Sequence, residues 1–181
     1  MNKDKIKVAA PYLGLPFVVI GLILFQAGHI DTFFIFQNIL LAIFGYFAAV
    51  IDIKSNIIPN KLVLAMLAVW VIIVIPRLFA DIENTLGIIT NAGLGFAVGG
   101  GLFLLVYIVS KKGLGGGDVK FMAAAGLYLG LGGVLPAMFL GTLFTGVVGL
   151  ILILLKKIDR KGKIPLAPFL YIGILITLFI M

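Results

Sequence analysis

Apolar residues fall into seven long runs, at 8–27, 33–51, 62–80, 86–109, 119–131, 134–155 and 164–181, with short polar or glycine-rich breaks between them. About 20 apolar residues in helix cross a hydrocarbon core of roughly 30 Å, so six of these runs have the length of a membrane span. The fifth has 13 residues, which at 1.5 Å per residue is about 20 Å, short of a full crossing. The first run follows Lys3, Lys5 and Lys7. It is too long for the apolar core of a signal peptide and lacks a small-x-small cleavage site, so a retained helix is expected. The pattern predicts an all-α, polytopic membrane helix bundle of about seven transmembrane helices, the fifth short, forming a single domain over 1–181.

Composition agrees. Of 181 residues, 62% are hydrophobic and 12% charged, and the mean hydropathy is +1.27. A soluble domain keeps roughly a quarter of its residues charged, so most of this surface must face lipid. Many of the 23 glycines lie inside the apolar runs, among them Gly93, Gly95, Gly99, Gly100 and Gly101. Small residues of this kind let helices pack closely where apolar burial gives no net drive.

The net charge of +7 is not read as a nucleic-acid surface, because the basic residues sit in clusters between apolar runs, as the positive-inside bias produces. Anionic lipid headgroups are their expected contacts. If the fifth run crosses, thirteen of the fourteen basic residues share one face: Lys3, Lys5, Lys7, Lys54, Lys61, Lys111, Lys112, Lys120, Lys156, Lys157, Arg160, Lys161 and Lys163. Only Arg77 lies opposite. If it does not cross, the 156–163 cluster moves to the wrong side. The bias therefore predicts seven spans, a cytoplasmic N-terminus and an external C-terminus.

Seven carboxylates remain to be sorted. Asp4 and Asp159 lie in basic segments as counter-charges, and Asp31, Asp81 and Glu83 fall in the two outer loops. Asp52 ends the second run, and Asp118 opens the fifth after Gly115, Gly116 and Gly117. Carboxylates at the membrane boundary are costly enough to mark function. Topology puts both on the cytoplasmic side at similar depth, so they can meet as an aspartyl dyad. In such a pair one carboxyl holds a proton and polarises the scissile carbonyl while the other activates water, and the two titrate as a unit. Structural readings compete: Asp118 as a helix N-cap, Asp52 as an interfacial counter-charge near Lys54, and Lys54 and Lys120 snorkelling to headgroups. Asn60 is expected to cap the third helix. The glycines would let a substrate backbone approach Asp118, and Lys54 and Lys120 would contact it. With no cysteine and a single histidine, His29, thiolate and His-Glu-x-x-His metal sites are excluded.

Three segments then coincide with one family. Gly115-Gly116-Gly117-Asp118-Val119-Lys120-Phe121 resembles a GxGD-x-K segment. Asp52-Ile53-Lys54 followed by Ile58-Pro59-Asn60-Lys61-Leu62 is similar to a D-x-K…I-P-N-x-L stretch, and Ile164-Pro165-Leu166-Ala167-Pro168-Phe169-Leu170 to I-P-F-G-P-F-L, with Ala167 in place of Gly. In this order they resemble the type IV prepilin and preflagellin peptidases, GxGD intramembrane aspartyl proteases. The resemblance implies catalytic Asp52 and Asp118, no cofactor or metal, and cytoplasmic-side removal of the basic leader of pilin-like precursors in the cell membrane. Many bacterial members carry paired C-x-x-C motifs between the first two helices and also methylate the product. This cysteine-free chain resembles the short forms, which implies no methyltransferase activity. A proton-coupled transporter or a non-enzymatic pilus-assembly scaffold are the alternatives. The transporter would need charges near the midplane and inverted repeats, and the scaffold would tolerate loss of one aspartate.

Overall fold

A computed structural model of the chain describes residues 14–28, 30–110, 113–157 and 164–180. The N-terminal lysines with Asp4, His29, Lys111, Lys112 and the 158–163 cluster lie outside the described residues. The described residues form six helices: α1 Gly14–Gln26, α2 Thr32–Ser55, α3 Asn60–Ala80, α4 Ile82–Val109, α5 Gly116–Leu154 and α6 Ala167–Ile180. Among them there is no strand. Helices α2 to α5 are long and apolar enough to cross a membrane, whereas α1 and α6 have 13 and 14 residues.

Large apolar side chains cover the outside, with Phe79, Val109 and Phe17 more than three-quarters exposed. The interior holds Leu41, Met66, Phe121, Met122, Leu170 and Ile174, all fully buried. Apolar residues on both faces of every helix are the construction of a membrane helix bundle.

The fifth and sixth apolar runs meet without a loop. The glycine-rich stretch at 132–133, expected to separate them, is helical, and α5 breaks instead at Gly130 (φ 63°, ψ −175°). This backbone region is open essentially to glycine alone. The break reverses the chain. A side chain at Gly99 of α4 would touch both Met122 (carbonyl oxygen at 2.6 Å) and Val134 (2.9 Å). In one straight helix those two residues would stand about 18 Å apart. Residues 116–129 therefore run up to Gly130, and residues 131–154 run back alongside them. The two arms share α4, where Gly95 and Gly126 each present a bare Cα to the other's carbonyl oxygen.

One pole of the bundle gathers Asp31, Arg77, Asp81 and Asn84. Arg77 donates to Asp31 at 2.7 Å and lies 4.4 Å over the Phe33 ring. The Arg77 hydrogen bond, and after it the Phe33 backbone N–H, hold the Asp31 carboxyl below the usual carboxylate range. Asp31 and Asp81 each accept from a backbone N–H at a helix start, Phe33 and Asn84, the N-cap contact that satisfies an orphaned donor. Glu83, expected in a loop, lies in the first turn of α4, because the Asp81 cap starts that helix four residues before the apolar run.

Candidate active site

At the opposite pole α2 runs four residues past its apolar stretch and carries Asp52 in its last turn. It ends where Asn56 turns left-handed (φ 52°, ψ 31°) and returns its N–H to the Asp52 carbonyl. Asparagine tolerates that conformation better than most residues. The chain then passes through Ile58, which is buried, to Pro59 and α3. Asn60 does not cap α3. The N-cap position is Pro59, and the Asn60 Oδ1 accepts from Lys120 Nζ at 3.0 Å, tying α3 to α5.

Asp52 is 5% exposed, and its Oδ2 accepts the backbone N–H of Ala167 at 3.0 Å. Ala167 opens α6. The first N–H groups of a helix have no partner within it and carry the positive end of its dipole, so a carboxylate is the acceptor such an end favours. Pro168 follows with no N–H to satisfy. The third sequence segment thus reaches the site through a main-chain donor 115 residues distant from Asp52, a contact that no side-chain pattern could reveal.

Asp118 is the third residue of α5 and 9% exposed. It is not the N-cap; that position is Gly115, whose carbonyl accepts the Asp118 N–H at 3.1 Å. Its Oδ1 is buried without a hydrogen-bond partner among the described residues. The three glycines before it differ. A Cβ on Gly115 would lie 2.6 Å from Asp118 Oδ2, and one on Gly117 would press on Ile58 at 3.1 Å. Only Gly116 is exposed with nothing within 4 Å of a Cβ. Gly115 and Gly117 let the chain's own carboxyl and the Ile58 segment close in, which brings the two aspartate-bearing segments together. The contact of Gly117 with Ile58 sets the segment carrying Asp118 against the one that follows Asp52.

Lys54 and Lys120 are both exposed. Among the described residues the ion pair between Arg77 and Asp31 is the sole salt bridge, so Lys54 does not pair with Asp52. No group of three or more His, Cys, Asp or Glu that could hold a metal occurs among the described residues. The chemistry the pole offers is that of two buried carboxyls beside a helix N-terminus and an open glycine.

Comparison with known proteins places these residues in context. A model of the type IV leader peptidase family matches residues 39–154. The Prepilin leader peptidase/N-methyltransferase of Xanthomonas campestris pv. campestris is 32% identical over 143 residues, 76% of this chain and 47% of that protein. The protein of the same name from Bacillus subtilis is 30% identical over 126 residues, 69% of this chain and 48% of its own length. That from Escherichia coli K12 is 29% identical over 143 residues, covering 76% and 62%. The chain spans about half the length of the first two. No solved structure matches.

Proposed function

Because the chain belongs to the type IV leader peptidase family, we propose that it is an intramembrane aspartyl endopeptidase that cleaves the leader from type IV pilin-like precursors, with Asp52 and Asp118 as its catalytic pair. The observation that carries this reading is that the Gly117–Ile58 contact brings two buried carboxyls, 66 positions apart in sequence, to one pole shared with Gly116. Burying two carboxyls together in a membrane protein is costly, and a dyad that activates water is the chemistry that gives such an arrangement a use. Water adds to the scissile carbonyl as one carboxylate takes its proton and the other carboxyl donates to the carbonyl oxygen. The tetrahedral diol then collapses: the C–N bond breaks as the first carboxyl returns its proton to the leaving amine, and the second takes a proton from the diol, which restores the pair.

In this reading the arms of α5 on either side of Gly130 count as the fifth and sixth of seven spans, the pole carrying the aspartates faces the cytoplasm, and the chain works as one domain. Gly116 gives the substrate backbone room, and Lys54 and Lys120 flank the approach. Only the leader-peptidase half of the relatives' name is carried over. Methyl transfer is not proposed for this cysteine-free sequence, and cleaved product incubated with S-adenosylmethionine and the enzyme is expected to keep an unmethylated N-terminus by mass spectrometry.

The hydrogen bond from α6 gives a test specific to the site. Ala167→Pro removes the donor to Asp52 at the first helical position, where proline fits the backbone. We expect cleavage to fall at least tenfold, in line with roughly 1.5 kcal/mol or more for a hydrogen bond to a charged group. Melting in detergent should drop too, because Ala167 is fully buried and the ring takes the place of the N–H against Asp52. Cleavage of a purified pilin precursor at the wild-type rate would remove α6 from the account.

A further inference from the structure

Far from the aspartates, a cavity of about 340 Å³ surrounds the break in α5, and five carboxamides line it: Gln26, Gln37, Asn38, Asn84 and Asn91. Two of them bond to the broken backbone. Gln37 Nε2 donates to the Tyr128 carbonyl at 2.5 Å, just before the break. Asn91 Oδ1 accepts from the Leu131 N–H at 3.1 Å, just after it. A non-helical residue strips helical partners from the carbonyls before it and the N–H groups after it. In a membrane interior such groups must be satisfied by the protein itself. Gln37 and Asn91 act as caps supplied by neighbouring helices. A third bond, from the Tyr128 hydroxyl to the Met66 carbonyl at 2.7 Å, ties the same tip to α3.

Gln37 is 2% exposed, and its Oε1 is buried with no partner among the described residues. Among these residues the side chain's one polar contact is the bond to the tip. The arm that begins there is buried along nearly its whole length, from Phe121 to Gly130, and ends at Asp118. Ten residues of helix separate Tyr128 from Asp118, about 15 Å. A helix is stiff over that distance, so a slip at the tip arrives undiminished at the carboxyl. Misplacement of a catalytic group by about 1 Å costs on the order of 100-fold in rate.

We infer that Gln37 is a positioning residue: by tethering the α5 tip to α2 it sets the height and rotation of the arm that presents Asp118. The inference rests on the peptidase reading and extends it to the far side of the bundle. Gln37 touches no reacting atom; it acts through the arm.

Two variants test it. Gln37→Leu keeps the bulk and removes the donor. It is expected to lower kcat about 10- to 100-fold with KM within about twofold of wild type, and to speed amide exchange selectively in residues 116–129. Gln37→Glu restores the donor only while its carboxyl is protonated, since only that form can donate to the Tyr128 carbonyl. Tyr128 is the one titratable side chain among the described residues lining this cavity; the charged groups nearest the lining are Asp81, bonded to Asn84, and the Arg77–Asp31 pair, with Arg77 over the Phe34 ring. The ratio of Gln37→Glu to wild-type kcat should exceed that of Gln37→Leu at acid pH and fall toward it as pH rises, a profile that a loss of packing would not produce. If Gln37→Leu cleaves at the wild-type rate, or if folded Gln37→Glu matches Gln37→Leu at every pH, the tether has no positioning role. The exchange arm decides separately from catalysis: unchanged exchange in 116–129 overturns the tether. A wild-type protein that cleaves no precursor counts instead against the peptidase reading.

Discussion

Asp52→Asn and Asp118→Asn are each expected to slow cleavage of a pilin-like precursor by roughly 10²- to 10⁴-fold, the usual contribution of a positioned general acid or base. Asparagine preserves the shape of each side chain, and an amide oxygen at position 52 still accepts the Ala167 N–H that Asp52 Oδ2 accepts at 3.0 Å. What each amide lacks is the ability to take up or release the proton. Both variants should therefore remain folded in detergent while turnover collapses. Since the carboxyls act as a unit, the double variant should be little worse than the slower single one. A time course read by mass spectrometry gives the rates. Wild-type turnover by either single variant would dissolve the pair.

The second large effect concerns stability. Gly130→Ala is expected to destabilise the protein by about 2–4 kcal/mol: roughly 1–3 for a side chain in a glycine-only region of backbone space, and about 1 for disturbing the Asn91 bond to Leu131. Its Cβ would collide with the Asn91 carboxamide. Two residues on, Gly132 has nothing within 4 Å of a Cβ, so Gly132→Ala should be neutral. Thermal unfolding in detergent of this pair, one residue type with opposite outcomes, separates a reversal made at Gly130 from glycine used as general helix packing. Equal melting temperatures would contradict the hairpin.

Much of this was legible in the sequence. The helices α2, α3 and α4 follow from apolar length alone, and the carboxylates at 52 and 118 stand out because each abuts an apolar run. The pairing of those runs at one pole also followed, from the alternation of spans. The reversal at Gly130 was harder to place. The apolar pattern points to Gly132 and Gly133 as the break, and only tertiary contact with Asn91 selects Gly130. Asn60 looked like a cap because its residue type favours that position, but Lys120, distant in sequence, takes its oxygen. Ala167 was invisible, since a main-chain donor leaves no trace in side-chain chemistry. Gln37 had a signal that went unused: a carboxamide inside an apolar run is as costly to bury as a boundary carboxylate is notable.

A catalytic pair requires the Asp52 and Asp118 segments to share one side of the membrane, and the absence of cysteine from the sequence makes this directly measurable. Ser55 and Gly116 are both exposed beside the two aspartates. Ser55→Cys and Gly116→Cys, each in vesicles of known orientation, are to be labelled with a membrane-impermeant thiol reagent. Both positions are predicted to react from the cytoplasmic face and to stay protected from the other. Labelling of the two from opposite faces would contradict the shared site.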